Sequence, residues 1–173
     1  MLIGYRSSSM RGRDFRPLQN TPATQNICRY NDNRLGAVYS SLHGFWVSRH
    51  AALNSVGQNA AVARRDAYSI VLFDRSPDTC ISNDLARSPD DLLSAIVSQQ
   101  PGTGTNFTGA LTEAQSIMTQ HWSNDRYAIS VDRHCRPWLK SQRSPVLIFL
   151  SDGECSVSDA TVRSICRAAI NLG

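Results

Sequence analysis

The sequence predicts an α/β protein, built as a doubly wound, mostly parallel sheet flanked by helices. Three observations predict it. Apolar, β-rich runs alternate along the chain with segments of helical period. The run Pro145–Leu150 (Pro-Val-Leu-Ile-Phe-Leu) has no polar alternation, as expected of a strand covered on both faces. Three polar loops directly follow helix or strand segments at the edge where such sheets hold ligands.

Each element has its own reason. Leu2–Tyr5 is a short apolar strand that ends in a serine turn, Ser7-Ser8-Ser9. Residues 11–31 are rich in Arg, Pro, Asn, Thr and Gln, lack a period, and read as one long loop. Leu35, Val38, Leu42, Phe45 and Trp46 recur at three- and four-residue spacing and predict a helix to about Ala52. Asn31 or Asp32 would cap its start, and Gly57 lies beyond its end. Ala67–Phe73 reads as a strand, with Asp78–Ile81 as a short neighbour. Pro89–Ser98 predicts a helix capped by Ser88, with Asp90 and Asp91 favourable in its first turn. Leu92, Leu93, Ile96 and Val97 form its inner face. Pro101–Asn106 is a tight turn opening a helix on Phe107, Ala110, Leu111, Ala114, Ile117 and Met118, which ends near Trp122. After the Pro145–Leu150 strand, Val162, Ile165, Cys166, Ala169 and Ile170 fall on one side of a last helix.

Composition bounds the function. The 173 residues suit one domain spanning 1–173, and 41% hydrophobic residues suffice for a core. The net charge of +4 is mild, and the arginines are scattered rather than clustered, so no nucleic-acid partner is expected. No run approaches the roughly 18 apolar residues that span a bilayer, and no apolar signal core follows Met1, so no membrane is expected either. Five cysteines, an odd number without a CxxC pair, read as reduced thiols in an intracellular, cytoplasmic protein. His43, His50, His121 and His134 show no ligand spacing. Gly102-Thr103-Gly104 lacks the Gly-Lys-Ser/Thr ending of a phosphate loop.

The residues that carry chemistry are hydroxyls and carboxylates. Ser7 and Ser9, two apart, point the same way on an extended backbone. Thr105 sits in a glycine-rich turn, and Asp152 follows the apolar strand and precedes Gly153. Hydroxyl and carboxylate oxygens on strand-end loops suit a hard divalent cation such as magnesium. Each has a plainer alternative: turn serines, a helix-capping threonine and a strand-end aspartate.

Taken together these motifs resemble the von Willebrand factor A (vWA) domain. Its metal-ion-dependent adhesion site has an Asp-x-Ser-x-Ser motif, a threonine in a Gly-Gly-Thr-Asn type turn, and an aspartate in an apolar-strand-Asp-Gly sequence. Ser7-Ser8-Ser9-Met10, Gly104-Thr105-Asn106-Phe107 and Phe149-Leu150-Ser151-Asp152-Gly153-Glu154 match these in order. The resemblance covers residues 2–173 and is nearest to intracellular fungal members, some of which join the domain to a ubiquitin-ligase U-box. It implies the vWA (Rossmann-like) fold, Ser7, Ser9, Thr105 and Asp152 as metal ligands, and a protein partner whose acidic residue completes the coordination shell.

The chain departs from the family in three places. Tyr5 stands where the first aspartate belongs, and a phenol that stays protonated is a poor magnesium ligand. Magnesium binding is therefore expected to be weak or absent. The complete family fold has further strands and a helix beyond this point, so the resemblance implies a C-terminally incomplete domain. Residues 124–143 separate helix and strand where the family has a short connection. Two accounts of that stretch stand side by side: a genuine surface insertion, or a translated intron. The expected function is a protein-interaction module, not an enzyme. A fragment of a ubiquitin ligase and a nonfunctional truncated product are the alternatives.

Overall fold

The computed structural model describes residues 1–55, 66–127, 146–151 and 157–172. Four strands, β1 (Leu2–Tyr5), β2 (Tyr68–Phe73), β3 (Pro77–Asp84) and β4 (Ile148–Leu150), form one sheet in the order β3-β2-β1-β4. Strand β1 runs parallel to both β2 and β4, with Leu2 opposite Ile70 and Ile148. Parallel partners require crossovers, so the three carboxyl ends fall on one edge of the sheet. β3 returns antiparallel along β2. The sheet is mixed and mainly parallel, as the sequence predicts.

Among the described residues five helices flank it: α1 (Thr24–Tyr30), α2 (Arg34–Asn54), α3 (Pro89–Ile96), α4 (Phe107–Tyr127) and α5 (Asp159–Leu172). α1 and α3 pack on α2, and α5 packs on α4. These two groups cover opposite faces. Tyr68 and Phe73 lie an odd number of residues apart on β2, so they point to opposite sides. Tyr68 meets Trp46 of α2, whereas Phe73 meets Phe107 of α4. Burial agrees, since all four residues of β1 are buried. That is the doubly wound arrangement.

Several elements differ from the sequence expectation. The stretch 11–31 is not one loop, because Thr24–Tyr30 is helical and buries Ile27 against the core. Only two turns long and lacking a side-chain cap, it leaves little periodic signal. Asn33, rather than Asn31 or Asp32, caps α2, accepting from the Gly36 N–H at 3.1 Å. Asn31 is instead wholly buried, and its amide donates to the Val97 and Gln99 carbonyls at 2.8 and 3.1 Å. Phe45 is 44% exposed. The buried stripe of α2 keeps Leu35, Leu42 and Trp46 of the expected face and adds Tyr39 and His43. A tyrosine and a histidine thus take positions that a count of apolar residues gives to Val38 and Phe45.

The β4 end differs too. Among the described residues β4 pairs only with β1, so Ile148 is exposed and Phe149 and Leu150 are half-buried rather than covered on both sides. On α5 only Ile165 of the predicted apolar face is buried; Val162, Cys166 and Ile170 are exposed and Ala169 is intermediate. Among the described residues α5 has a helix neighbour only in α4, and one contact line cannot cover the whole stripe. α4 continues to Tyr127, beyond Trp122 and into the stretch 124–143. The remainder of that stretch, from 128, lies outside the described residues.

Two glycines of α2 predict opposite outcomes. A Cβ on Gly36 would run into the carbonyl of Asn31, the residue that ties α1 to the end of α3. Gly36→Ala should cost about 2 kcal/mol or more through forced backbone movement. Gly44 has nothing within 4 Å of the same position, so Gly44→Ala should add about 0.5–1 kcal/mol from helix propensity. Urea midpoints of the two variants check both signs.

Candidate functional site

The carboxyl ends of β1 and β2 are tied together by the turn that opens α4. The Gly102 N–H donates to the Arg6 carbonyl at 2.6 Å, and the Asn106 N–H donates to the Asp74 carbonyl at 2.7 Å. Glycine is needed at two points of this turn. A Cβ on Gly102 would overlap the Asp74 carboxylate, and Gly104 has φ +87°, in the left-handed region that favours glycine. Asn106 then caps α4, its side chain accepting from the Gly109 N–H at 2.8 Å and donating to the Arg75 carbonyl at 3.2 Å.

The structure places three of the four predicted site residues on this edge. Ser7 is buried and opens a single 3-10 turn, Ser8–Arg11, its side chain accepting from the Ser9 N–H. The Ser7 and Ser9 hydroxyls meet at 2.8 Å. The two serines therefore do converge, through a turn rather than an extended segment. Thr105 is exposed, and its hydroxyl meets the Tyr5 phenol at 2.7 Å. Asp152 lies outside the described residues; its neighbour Ser151 follows β4 at the same edge.

Tyr5 is held from below by aromatic rings. Its ring lies 5.3 Å from Phe73 and 5.7 Å from Phe107 between centroids. Phe73, Phe107 and Phe149 extend the group at 5.2–5.5 Å. One ring comes from each of the parallel strands and one from α4, and such pairs contribute about 0.5–1.5 kcal/mol each beyond their burial. The ring is therefore fixed, and its hydroxyl is delivered to the rim of the site.

The described donors do not by themselves make a hard-cation site. Magnesium takes six oxygens in near-octahedral geometry and favours carboxylates. Here the oxygens are neutral hydroxyls, each already hydrogen-bonded to another. Among the described residues no group of three His, Cys, Asp or Glu side chains is placed to hold a metal. Among the described residues the strand-end carboxylate Asp74 faces the Arg6 guanidinium, at 3.6 Å.

Sequence reasoning missed this second polar cluster. Arg6 Nη1 donates to Gln99 Oε1 at 2.6 Å and to Asp78 Oδ2 at 3.3 Å, while its buried Nε has no hydrogen-bond partner. Arg6 and Asp74 each directly follow a buried strand, and that adjacency is the signal that would have found them. Beneath the cluster, burial pushes the Tyr39 phenol far up from its usual range. Burial, and secondarily Asp78, pushes the Cys80 thiol up to about 11. Neither group is poised as a base or nucleophile near neutral pH.

A mainly parallel sheet with helices on both faces, and serine and threonine hydroxyls at its strand ends, defines an α/β domain of the doubly wound kind, in which ligands generally sit beyond the carboxyl ends of the strands. The family model for the von Willebrand factor type A domain matches residues 6–154, and the chain belongs to that family. Domains of this family generally mediate protein interactions. No curated protein matches the chain. Among the described residues, no helix is long and apolar enough to cross a membrane.

The Tyr5–Thr105 bond predicts a measurable coupling. Tyr5→Phe keeps the ring and removes the hydroxyl, and should cost about 1 kcal/mol. Thr105→Val should cost a similar amount, and the double variant little more than either. A double-mutant cycle in urea then reads a coupling of about 1 kcal/mol. Additive losses would show that the two hydroxyls do not depend on one another.

Proposed function

We propose that this chain is a protein-interaction module that works without a metal ion, through the loops at the carboxyl edge of its sheet. The observation that carries the reading is the Tyr5–Thr105 hydrogen bond at 2.7 Å. The resemblance puts a carboxylate at position 5 and a metal between it and the threonine. In this chain a neutral phenol joins the two loops directly. Ser7 and Ser9 satisfy one another in the same manner. A direct bond has no use for a bridging cation, and without a second carboxylate the attraction for one is small.

The module is non-enzymatic in this reading. Its edge offers hydroxyls and ion-paired side chains, and burial moves the nearby Tyr39 phenol and Cys80 thiol up, away from neutrality. An intracellular setting belongs to the same proposal, on the odd cysteine count without a CxxC pair. Likeness to the fungal members of the family belongs to the same proposal.

Magnesium dependence tests it. Adding EDTA to the purified chain should leave Tm unchanged, since a ligand that binds the native state contributes only in proportion to its occupancy. Isothermal titration with magnesium chloride should give no heat of specific binding up to about millimolar concentration, corresponding to roughly −4 kcal/mol. Micromolar affinity would overturn the metal-free reading and would require Asp152 to complete a site with Ser7, Ser9 and Thr105.

A further inference from the structure

Two carboxylates and an amide oxygen near the strand ends converge on one cation, and that cation belongs to the chain. Arg6 Nη1 lies 2.6 Å from Gln99 Oε1 and 3.3 Å from Asp78 Oδ2, and Arg6 Nε lies 3.6 Å from Asp74 Oδ2. The side chains of Arg6 and Asp74 are only 13% and 17% exposed. Charges so enclosed are costly to leave unpaired, so the guanidinium and its acceptors hold one another in place.

The three acceptors come from different segments. Asp74 follows β2, Asp78 lies in β3, and Gln99 lies in the connection from α3 to α4. Arg6 itself follows β1, and its backbone serves the same neighbours. Its N–H donates to the Phe73 carbonyl at 2.8 Å, and its carbonyl accepts from the Gly102 N–H at 2.6 Å. The Asp74 carboxylate lies against Gly102, where a Cβ would overlap it. Gln99 is also fixed from behind, its carbonyl accepting from Asn31 Nδ2 at 3.1 Å and from the Tyr39 hydroxyl at 3.4 Å.

We propose that Arg6 is the built-in cation of this edge. Its guanidinium ties the ends of β1 and β2 to the 99–106 connection, and so positions the Thr105 turn for a partner without an added ion. The proposal rests on the metal-free reading and names the group that does the organising. A guanidinium is planar and weakly hydrated, and it arrives with the chain. Magnesium gives up its water reluctantly and demands octahedral oxygens. Arg6 is thus a positioning residue, acting on Thr105 through Asp74, Gln99 and Gly102.

Amide hydrogen exchange on the 15N-labelled chain tests it. The readouts are Gly102 and Asn106, whose N–H groups bond to the Arg6 and Asp74 carbonyls. Leu72 of β2 and Ala114 of α4 serve as references. Arg6→Ala should speed exchange at Gly102 and Asn106 at least about tenfold more than at the references. Guanidinium chloride at about 20 mM, far below denaturing concentrations, should restore slow exchange in that variant, and equal sodium chloride should not. If Arg6→Ala does not fold, Asp78→Asn on the edge strand should give about a threefold rise confined to the same two amides. An unchanged rate at Gly102 and Asn106, an equal rise at the references, or a rise in Arg6→Ala that guanidinium does not reverse overturns the proposal. Each of those results leaves the metal-free reading standing. Slower exchange at Gly102 and Asn106 of the unaltered chain on adding magnesium chloride would overturn both.

Discussion

The strand-end edge depends on where the Tyr5 ring is held. It sits on the last residue of β1, the strand that pairs in parallel on both sides. Phe73 and Phe107 press on it from β2 and α4, and Phe149 of β4 closes the group. Because rings from three strands and one helix interlock, the ends of those elements cannot move independently. The phenol oxygen then projects from the top of the cluster and ties the 101–106 turn at Thr105. Backbone bonds from Gly102 and Asn106 fix the same turn to Arg6 and Asp74. Packing below and hydrogen bonding above act on one side chain. An aspartate at position 5 would lose the packing, so the tyrosine changes the construction of the edge as well as its charge.

In the metal-free reading proposed above, the edge has a different electrostatic character from a metal-centred one. A bound divalent cation would be the largest local charge on the edge. The described edge carries hydroxyl pairs, a strand-end arginine enclosed by Asp74, Asp78 and Gln99, and, nearby in sequence, exposed arginines on the 11–16 segment.

Much of the fold was legible because strong local signals agreed with it. The capping of α3 by Ser88, the strand at Tyr68–Phe73 and the turn before α4 follow from residue chemistry alone. What escaped were features decided by tertiary contact. Asn31 resembles a helix cap in sequence but is drawn into the core by the carbonyls of Val97 and Gln99. Tyr39 and His43 occupy inner positions of α2, where His43 reaches Asp90 of α3 at 2.9 Å. Helix α1 is too short to announce itself. At the site, the convergence of Ser7 with Ser9 and the place of Thr105 could be anticipated from motif order. Their partners could not, because Tyr5 and Thr105 are a hundred residues apart and nothing local joins a phenol to a distant hydroxyl.

Paramagnetic broadening by manganese tests the central claim most directly, because it reports where a divalent ion sits at each backbone amide. On titrating manganese chloride into the 15N-labelled chain, the account predicts that the amides of Arg6, Ser7, Ser9, Thr105 and Asn106 keep their intensity in step with the rest of the chain. Selective loss of those signals at low manganese concentration, reversed by magnesium, would place an ion between the loops and contradict a direct Tyr5–Thr105 link as the element that joins them.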